Sequence, residues 1–167
     1  MRGVLDLTLV SADGTLLARR RARNSVMRGG AELVARLFVG QGNPISHMAV
    51  GTSDEPETET FTTTALSNEG RGDESPLAGD TTTLIASGAM TLAVDQGKRL
   101  VLVRVRATLP PDAAVGTVRE AGLISRGDEG DVLYNRVTFA PIRKGGDHEL
   151  TMFWEVTFPY GDLQWVF

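Results

Sequence analysis

Between residues 149 and 158 the side chains alternate without a break. Leu150, Met152, Trp154, Val156 and Phe158 fall on one side, and Glu149, Thr151, Phe153, Glu155 and Thr157 on the other. A repeat of two matches the pleat of an extended strand, whose successive side chains point to opposite faces, and does not fit a helix turning every ~3.6 residues. The chain is thereby committed to burying one face of a sheet. The same period recurs where Leu5, Leu7 and Leu9 alternate with Asp6, Thr8 and Val10, and where Val101, Val103, Val105 and Ala107 alternate with Leu102, Arg104 and Arg106.

Turn chemistry divides these runs. Asp13-Gly14 lies between two extended segments, a strong hairpin signal, so residues 15–23 read as the strand returning from the first. Leu84, Ala86, Gly88, Met90, Leu92 and Val94 share one face of a strand, which Asp95-Gln96-Gly97-Lys98 joins to residues 101–107 as a long hairpin. Pro110-Pro111 ends it. Residues 118–125 form a short strand in which Gly122 marks a bulge or a close approach, and residues 133–142 and 149–158 pair around Lys144-Gly145-Gly146-Asp147. After Pro44, the apolar run 45–50 reads as a buried strand ending at Gly51-Thr52-Ser53.

One helix is expected. Asn24 or Ser25 suits its first free amides and Gly40 stops it after about Val39, with Val26, Leu33, Val34, Leu37 and Phe38 on one face. Gly29-Gly30 is costly inside a helix, so either the helix begins after the pair or another backbone comes close there. Residues 52–80, rich in Thr, Glu, Gly, Ser and Pro, read as a long loop and not a packed element. The fold expected is mainly β, an antiparallel β-sandwich with one helix near the N-terminus, forming a single domain over residues 1–158. Residues 159–167 are an aromatic C-terminal tail. Burying Trp165 and Phe167, in the chain's own domain or in a neighbour, is worth on the order of 3–6 kcal/mol before ordering costs.

Composition removes several kinds of chemistry. At 167 residues the chain fits one core, and with no cysteine it has no thiolate nucleophile, thiolate metal site or disulfide. No run approaches a membrane span, and the opening residues pass directly into a strand pattern with no signal-peptide core. A net charge of −4 gives no footprint for general nucleic-acid binding. Only two histidines occur. His47 reads as a core or partly buried residue and His148 sits at a hairpin edge. The nucleophile elbow, the zinc-protease helix, the phosphate loop and the dinucleotide fingerprint are all missing from the sequence. Glu120 and Glu155 are nominal paired carboxylates with nothing to fix their separation, and the acidic residues 54–59 lack a calcium-loop pattern. Arg-Gly-Asp at 71–73 and again at 126–128 reads as two polar turns. The expectation is a protein that is not an enzyme and needs neither cofactor nor metal.

The order of short motifs resembles the amino-terminal domain of phage tail-collar fibre proteins and related small virion proteins of tailed phages. The residues that carry the likeness begin with Asn24 and Gly29 or Gly30, followed by Ile45-Ser46-His47-Met48-Ala49-Val50-Gly51-Thr52. Ala65-Leu66-Ser67-Asn68-Glu69 and Val118-Arg119-Glu120-Ala121-Gly122-Leu123 come next. Tyr134-Asn135-Arg136-Val137-Thr138-Phe139-Ala140-Pro141-Ile142-Arg143-Lys144 and the strand 150–158 complete a series covering most of the chain. In that group the domain attaches a long fibre to the baseplate. Here the sequence stops at Phe167 without a shaft or receptor-binding tip, so the resemblance implies a stand-alone block: a tail or baseplate adaptor, or a short fibre anchor. The alternatives are a capsid or tail decoration protein and a carbohydrate-binding adhesive β-sandwich.

Such a block is expected in the virion, assembled in the bacterial host cytoplasm. Its expected partners are other virion structural proteins and copies of itself, a trimer being favoured, with neither nucleic acid nor membrane. Apolar anchors supply the energy of such contacts and charge sets their register. The interface residues nominated are the basic cluster Arg19, Arg20, Arg21 and Arg23, the acidic loop residues Glu57 and Glu59, and the tail residues Tyr160, Leu163, Trp165 and Phe167.

Overall fold

The computed structural model describes residues 2–161, so Leu163, Trp165 and Phe167 lie outside the described residues. The elements are β1 (Arg2–Val10), β2 (Leu16–Val26), α1 (Arg28–Phe38), β3 (His47–Gly51), β4 (Thr82–Leu84), β5 (Met90–Asp95), β6 (Leu100–Leu109), β7 (Gly116–Gly127), β8 (Gly130–Lys144) and β9 (Glu149–Pro159). Among the described residues the chain is mainly β with one helix, as its periodicity implies. Its strands form one curled antiparallel sheet in the order β4-β3-β7-β8-β2-β1-β9-β6-β5.

The curl turns on β2. Along most of its length it pairs with β1, but its last residues, Ser25 and Val26, pair with Arg136 and Asn135 of β8. One strand thus serves both halves of the sheet, and the halves face each other across a common core. Leu5, Leu7, Val105, Leu109, Leu150, Met152 and Trp154 enter it from one side, and Met48, Val50, Val118, Ala121, Leu123, Val137 and Ile142 from the other. The β4 end of the sheet also comes back to β6, and the β5–β6 ladder runs one rung beyond β5. Thr83 Oγ1 of β4 donates to the Thr108 carbonyl of β6 at 3.2 Å, and the Arg106 amide donates to the Ala89 carbonyl at 3.0 Å.

Both predicted hairpins at Asp13-Gly14 and Asp95-Gln96-Gly97-Lys98 form. Two other pairings differ from expectation. The single strand read through 84–94 is two strands at opposite ends of the sheet, parted at a Gly88 with φ of 82°. Residues 133–142 and 149–158 do not pair with each other: β8 lies between β7 and β2, and β9 between β1 and β6. Alternation states which face a strand buries but not which strand lies beside it. Both strands face the same core, from opposite halves, so their patterns look like those of partners.

The helix begins at Arg28, later than its sequence suggests, because Ser25 and Val26 are held in the sheet. The Met27 amide donates to the Tyr134 carbonyl at 3.0 Å, and the first helical amide, of Arg28, donates to the Phe61 carbonyl at 2.9 Å. Gly30 answers the question its sequence poses, since a Cβ there would sit 2.0 Å from the Tyr134 carbonyl oxygen. Leu33 is buried, whereas Leu37 and Phe38, expected on the same face, are exposed.

Residues 52–80 contain no helix or strand, only turns and two isolated bridges, one closing the four-residue turn Arg71–Glu74, yet they are packed. Leu77 is buried, its amide and carbonyl are bracketed by the Asn68 side chain at 2.8 and 3.2 Å, and Ala78 bridges to Val115. Together with α1 this segment covers the outer face of β7 and β8, where Met27, Ala49, Ile124 and Leu133 make a second small core with Leu66 against it. β7 is consequently buried on both faces from Glu120 to Ser125.

Candidate interaction surfaces and the buried ion cluster beneath them

Charged residues in a strand covered on both sides need partners, because an unpaired buried charge costs several kcal/mol. Arg136 on β8 has them. Its Nε donates to Glu120 Oε2 and its Nη1 to Glu57 Oε1, both at 2.5 Å, while Nη1 also reaches the Glu55 carbonyl at 2.9 Å and Nη2 the Ser53 hydroxyl at 3.3 Å. The three charged side chains retain 5, 1 and 10% exposure for Arg136, Glu120 and Glu57. Burial opposes the guanidinium's charge, but the bonds to Glu120 and Glu57 outweigh it and hold Arg136 above its usual range.

The other Glu120 oxygen, Oε1, accepts the Ser67 amide at 2.7 Å and the Ser53 amide at 3.4 Å. Gly51 of β3 lies opposite Glu120, and a Cβ there would stand 2.3 Å from that oxygen. The missing side chain is the room the carboxylate occupies. Thr52 then ties the start of the loop to its middle, its amide donating to the Ser67 carbonyl at 2.8 Å and its hydroxyl to the Glu69 carbonyl at 2.8 Å. One carboxylate on a strand and one guanidinium on its neighbour therefore fix the loop that covers them.

The nominated surface residues divide into three groups. Arg19, Arg21 and Arg23 project from one face of β2, where Arg21 lies opposite Asp6 and Arg23 opposite Val4. Arg19 makes a two-pronged pair with Asp6 at 2.9 and 2.6 Å, which holds that carboxyl below its usual range. The same outer face continues across β9 and β6 with Arg104 paired to Glu155 at 3.0 Å and Arg106 over the Phe153 ring at 5.6 Å. Arg20 points to the other side and donates to the Ala140 and Pro141 carbonyls of β8 at 3.0 and 3.1 Å. Glu57 is occupied inside the fold by Arg136, and Glu59 is exposed. Tyr160 is partly exposed at the end of β9, its amide donating to the Arg99 carbonyl at 3.0 Å.

A surface absent from the nominated set lies on β5. Its side chains continue the core-facing rows of the sheet: Met90 beside Val105 and Trp154, Leu92 beside Val103 and Val156, and Val94 beside Val101 and Phe158. Trp154 and Val156 are buried, but Leu92 is 69% and Val94 56% exposed, since no strand of the opposite half reaches over them. Alternation in the sequence marks Leu92 and Val94 as inward-facing, which they are. Exposure depends on how far the facing half of the sheet extends.

No family model, curated protein or solved structure matches this chain. Four segments of the motif series read from the sequence nonetheless meet in the fold. Gly51 and Thr52 from the first motif, Ser67 from the second, Glu120 from the third and Arg136 from the fourth belong to the buried cluster, which Ser53, Glu55 and Glu57 from outside the motifs complete. Gly122 of the third motif lets β7 approach the Asn135 carbonyl, and Asn135 Oδ1 accepts the Leu123 amide at 2.9 Å where the β7 and β8 registers slip. The cluster's chemistry is that of a closed ion network: each charged oxygen faces a cation, an amide or, for Glu57 Oε2, the Thr63 hydroxyl at 3.2 Å, and Glu155, the other carboxylate of the nominal pair, is bonded to Arg104 on the opposite half. His47 bonds the Ser46 hydroxyl at 2.8 Å and is pushed below its usual range by burial and by Arg126. His148 accepts the Gly145 amide at 2.8 Å in the turn after β8. The first Arg-Gly-Asp run sits in a turn and the second ends β7 and enters the turn to β8, with Arg71 paired to Asp54 and Arg126 to Asp131. Sequence reasoning names Arg136 only inside a motif, and Glu120 only there and as half of a nominal carboxylate pair with Glu155. The signal that singles them out is a charge of each sign within apolar runs that read as neighbouring buried strands.

Proposed function

We propose that this chain is a structural component of a bacteriophage or phage-like particle, a tail or baseplate adaptor or short fibre anchor that acts by docking onto neighbouring proteins. The observation that carries this reading is the meeting of four separate motif segments in one buried ion cluster. Short apolar motifs scattered through a chain carry little weight, but motifs whose polar residues complete one another's hydrogen bonds describe a single physical device. That device sets a covering loop on a rigid sheet and leaves the outer arginines and the β5 strip facing solvent. Neighbours of matching charge and apolar surface are what such faces suit.

The carbohydrate-binding alternative loses one of its two tryptophan candidates, since Trp154 is 1% exposed. Mass spectrometry of purified particles tests the structural role. The chain is expected at a fixed copy number, with cryo-microscopy locating it at a tail or baseplate junction. Particles that assemble fully and lack the chain overturn the proposal.

A further inference from the structure

The outer face of β2, β1, β9 and β6 carries two rows of side chains in register: Arg21, Asp6, Phe153 and Arg106 in one, Arg23, Val4, Glu155 and Arg104 in the next. Each row begins and ends on an arginine, three strand spacings or about 14 Å apart, and the rows stand about 7 Å apart along the strands. The arginines thus frame Val4 and the 44% exposed Phe153, and Arg21, Arg104 and Arg106 wall a hollow of about 560 Å³ there. Glu155 neutralises Arg104, and Arg19 neutralises Asp6. Arg21 and Arg23 have neither ion pair nor hydrogen bond among the described residues, and the Arg106 guanidinium has only the Phe153 ring. The frame therefore keeps surplus positive charge around an apolar centre, in a chain whose net charge is −4. An aromatic centre with a polar rim is the layout of a protein-binding hot spot. Asp6 and Glu155 stand inside the rows, where a phosphate backbone would have to run beside them, so the frame suits a protein surface better than a nucleic acid.

The other half of the molecule carries features that match. Phe38 ends α1 at 92% exposure, with Val39 after it at 67%. Arg36 and Gln41, on either side of Phe38 in the chain, line a groove of about 640 Å³ between α1, residues 41–43 and the β7–β8 turn. Its lining holds four carboxylates, Glu32, Asp128, Glu129 and Asp131, against the one guanidinium of Arg36. Asp131 is paired with Arg126 and Glu32 has only a 3.6 Å pair with Arg28, while Asp128 and Glu129 have no partner among the described residues. The end of α1 is thus an exposed ring beside free negative charge. α1 packs outside β8, whereas the frame lies outside β1 and β9, so the two surfaces belong to opposite halves of the sheet and do not meet within one copy.

We infer that the arginine frame of one copy receives the Phe38 end of α1 from a second copy, Phe38 seating against Phe153 and Val4 while the groove carboxylates face Arg21, Arg23 and Arg106. The partner is a second copy of this chain, and the inference rests on the docking role proposed above. The apolar ring supplies the energy of the contact, and opposite charge sets its orientation and suppresses like-to-like pairing. Two different surfaces are joined, so the contact is head-to-tail and closes into a ring when the rotation between copies allows.

Sedimentation velocity over a range of concentrations tests it with three proteins: the native chain, an R21E/R106E variant and an F38S variant. Arg21, Arg106 and Phe38 are exposed, so both variants are expected to keep the far-ultraviolet circular dichroism and melting temperature of the native chain. The native chain is expected to assemble as concentration rises and to assemble less at high salt, which screens exposed charges. Each variant alone is expected to stay monomeric. Mixing them brings together one intact frame and one intact Phe38, so the mass should double to a single heterodimer and go no further. A monomeric native chain, a variant that assembles as the native chain does, assembly indifferent to salt, or a mixture without heterodimer overturns the inference. A monomeric native chain that binds duplex DNA through Arg21 and Arg106 overturns it too, because the frame then serves a polyanion. A chain that enters particles while failing these tests keeps the docking role and loses this contact; a chain absent from particles loses the role whatever its mass.

Discussion

Arg136 and Glu120 lie on neighbouring strands with Nε 2.5 Å from Oε2, and neither side chain is more than 5% exposed. Removing one member of such a pair strands the other charge in the interior. Glu120→Ala is expected to lower the unfolding free energy by about 3–5 kcal/mol, read from urea denaturation. It also removes the acceptor of the Ser67 and Ser53 amides, so limited proteolysis should cut residues 53–69 faster. A loss below ~1 kcal/mol with an unchanged cleavage pattern would show that the cluster does not hold the loop.

Gly29 and Gly30 are adjacent in α1 and should respond oppositely to alanine. A Cβ at Gly30 meets the Tyr134 carbonyl oxygen at 2.0 Å and forces helix and strand apart, whereas at Gly29 its nearest neighbour is Val132 Cγ1 at 3.7 Å. Gly30→Ala is expected to cost about 1–3 kcal/mol. Gly29→Ala is expected to be neutral or to stabilise by up to about 1 kcal/mol through helix propensity. Thermal melts of the two variants decide the matter, and equal shifts would contradict the packing of α1 on β8.

Lys144 is 1% exposed, and its Nζ donates to the Pro110 and Pro111 carbonyls at 2.8 and 2.9 Å. Burial pushes its ammonium below the ordinary 10.5, with Asp112 and Glu149 opposing. A base with a lowered folded pKa binds its proton more weakly folded than unfolded, so stability rises with pH between the folded value and the unfolded one. The neutral amine keeps two N–H groups for the two carbonyls. Unfolding free energies measured from about pH 7.5 to 10 should rise for the native chain relative to Lys144→Met. Parallel curves would show that Lys144 titrates as it does in water.

Asp13 in the first hairpin is held at about 2 rather than 3.8, chiefly by the Ser11 hydroxyl and then by Thr15, whose amide donates at 3.0 Å. A depressed carboxyl contributes stability above its unfolded value and loses it as pH falls toward the folded one. The carboxyl resonance of Asp13 should therefore titrate near 2, and in Ser11→Ala it should move up toward 3.8. An unshifted titration in the variant would remove the hydroxyl as the cause.

Strand content, both tight hairpins and the inward side of most strands follow from alternation and turn residues, which are local properties; β4 is the exception, where Leu84, expected inward, is exposed and Ile85 is buried. The candidate site is less legible. Glu120 and Arg136 stand 16 positions apart on neighbouring strands, and Glu57 and Ser53 come from a segment whose composition reads as loop. Nothing within a few residues of any of them signals the others. Leu92 and Val94 show the converse: their inward direction is local, but their exposure depends on how far a distant part of the sheet reaches.

By itself the sequence determined that the chain builds a sheet, which side of its long strands faces the core, where the Asp13-Gly14 and Gln96-Gly97 turns fall, and that thiol chemistry is unavailable. The tertiary structure alone decided that β8 pairs with β7 and β2, that 84–94 is divided between opposite edges, that residues 52–80 are tied down by Glu120, and that β5 is left uncovered. The reason is that alternation is a period of two along one strand, whereas strand neighbours and edges are set by which apolar faces can close on each other across the whole chain.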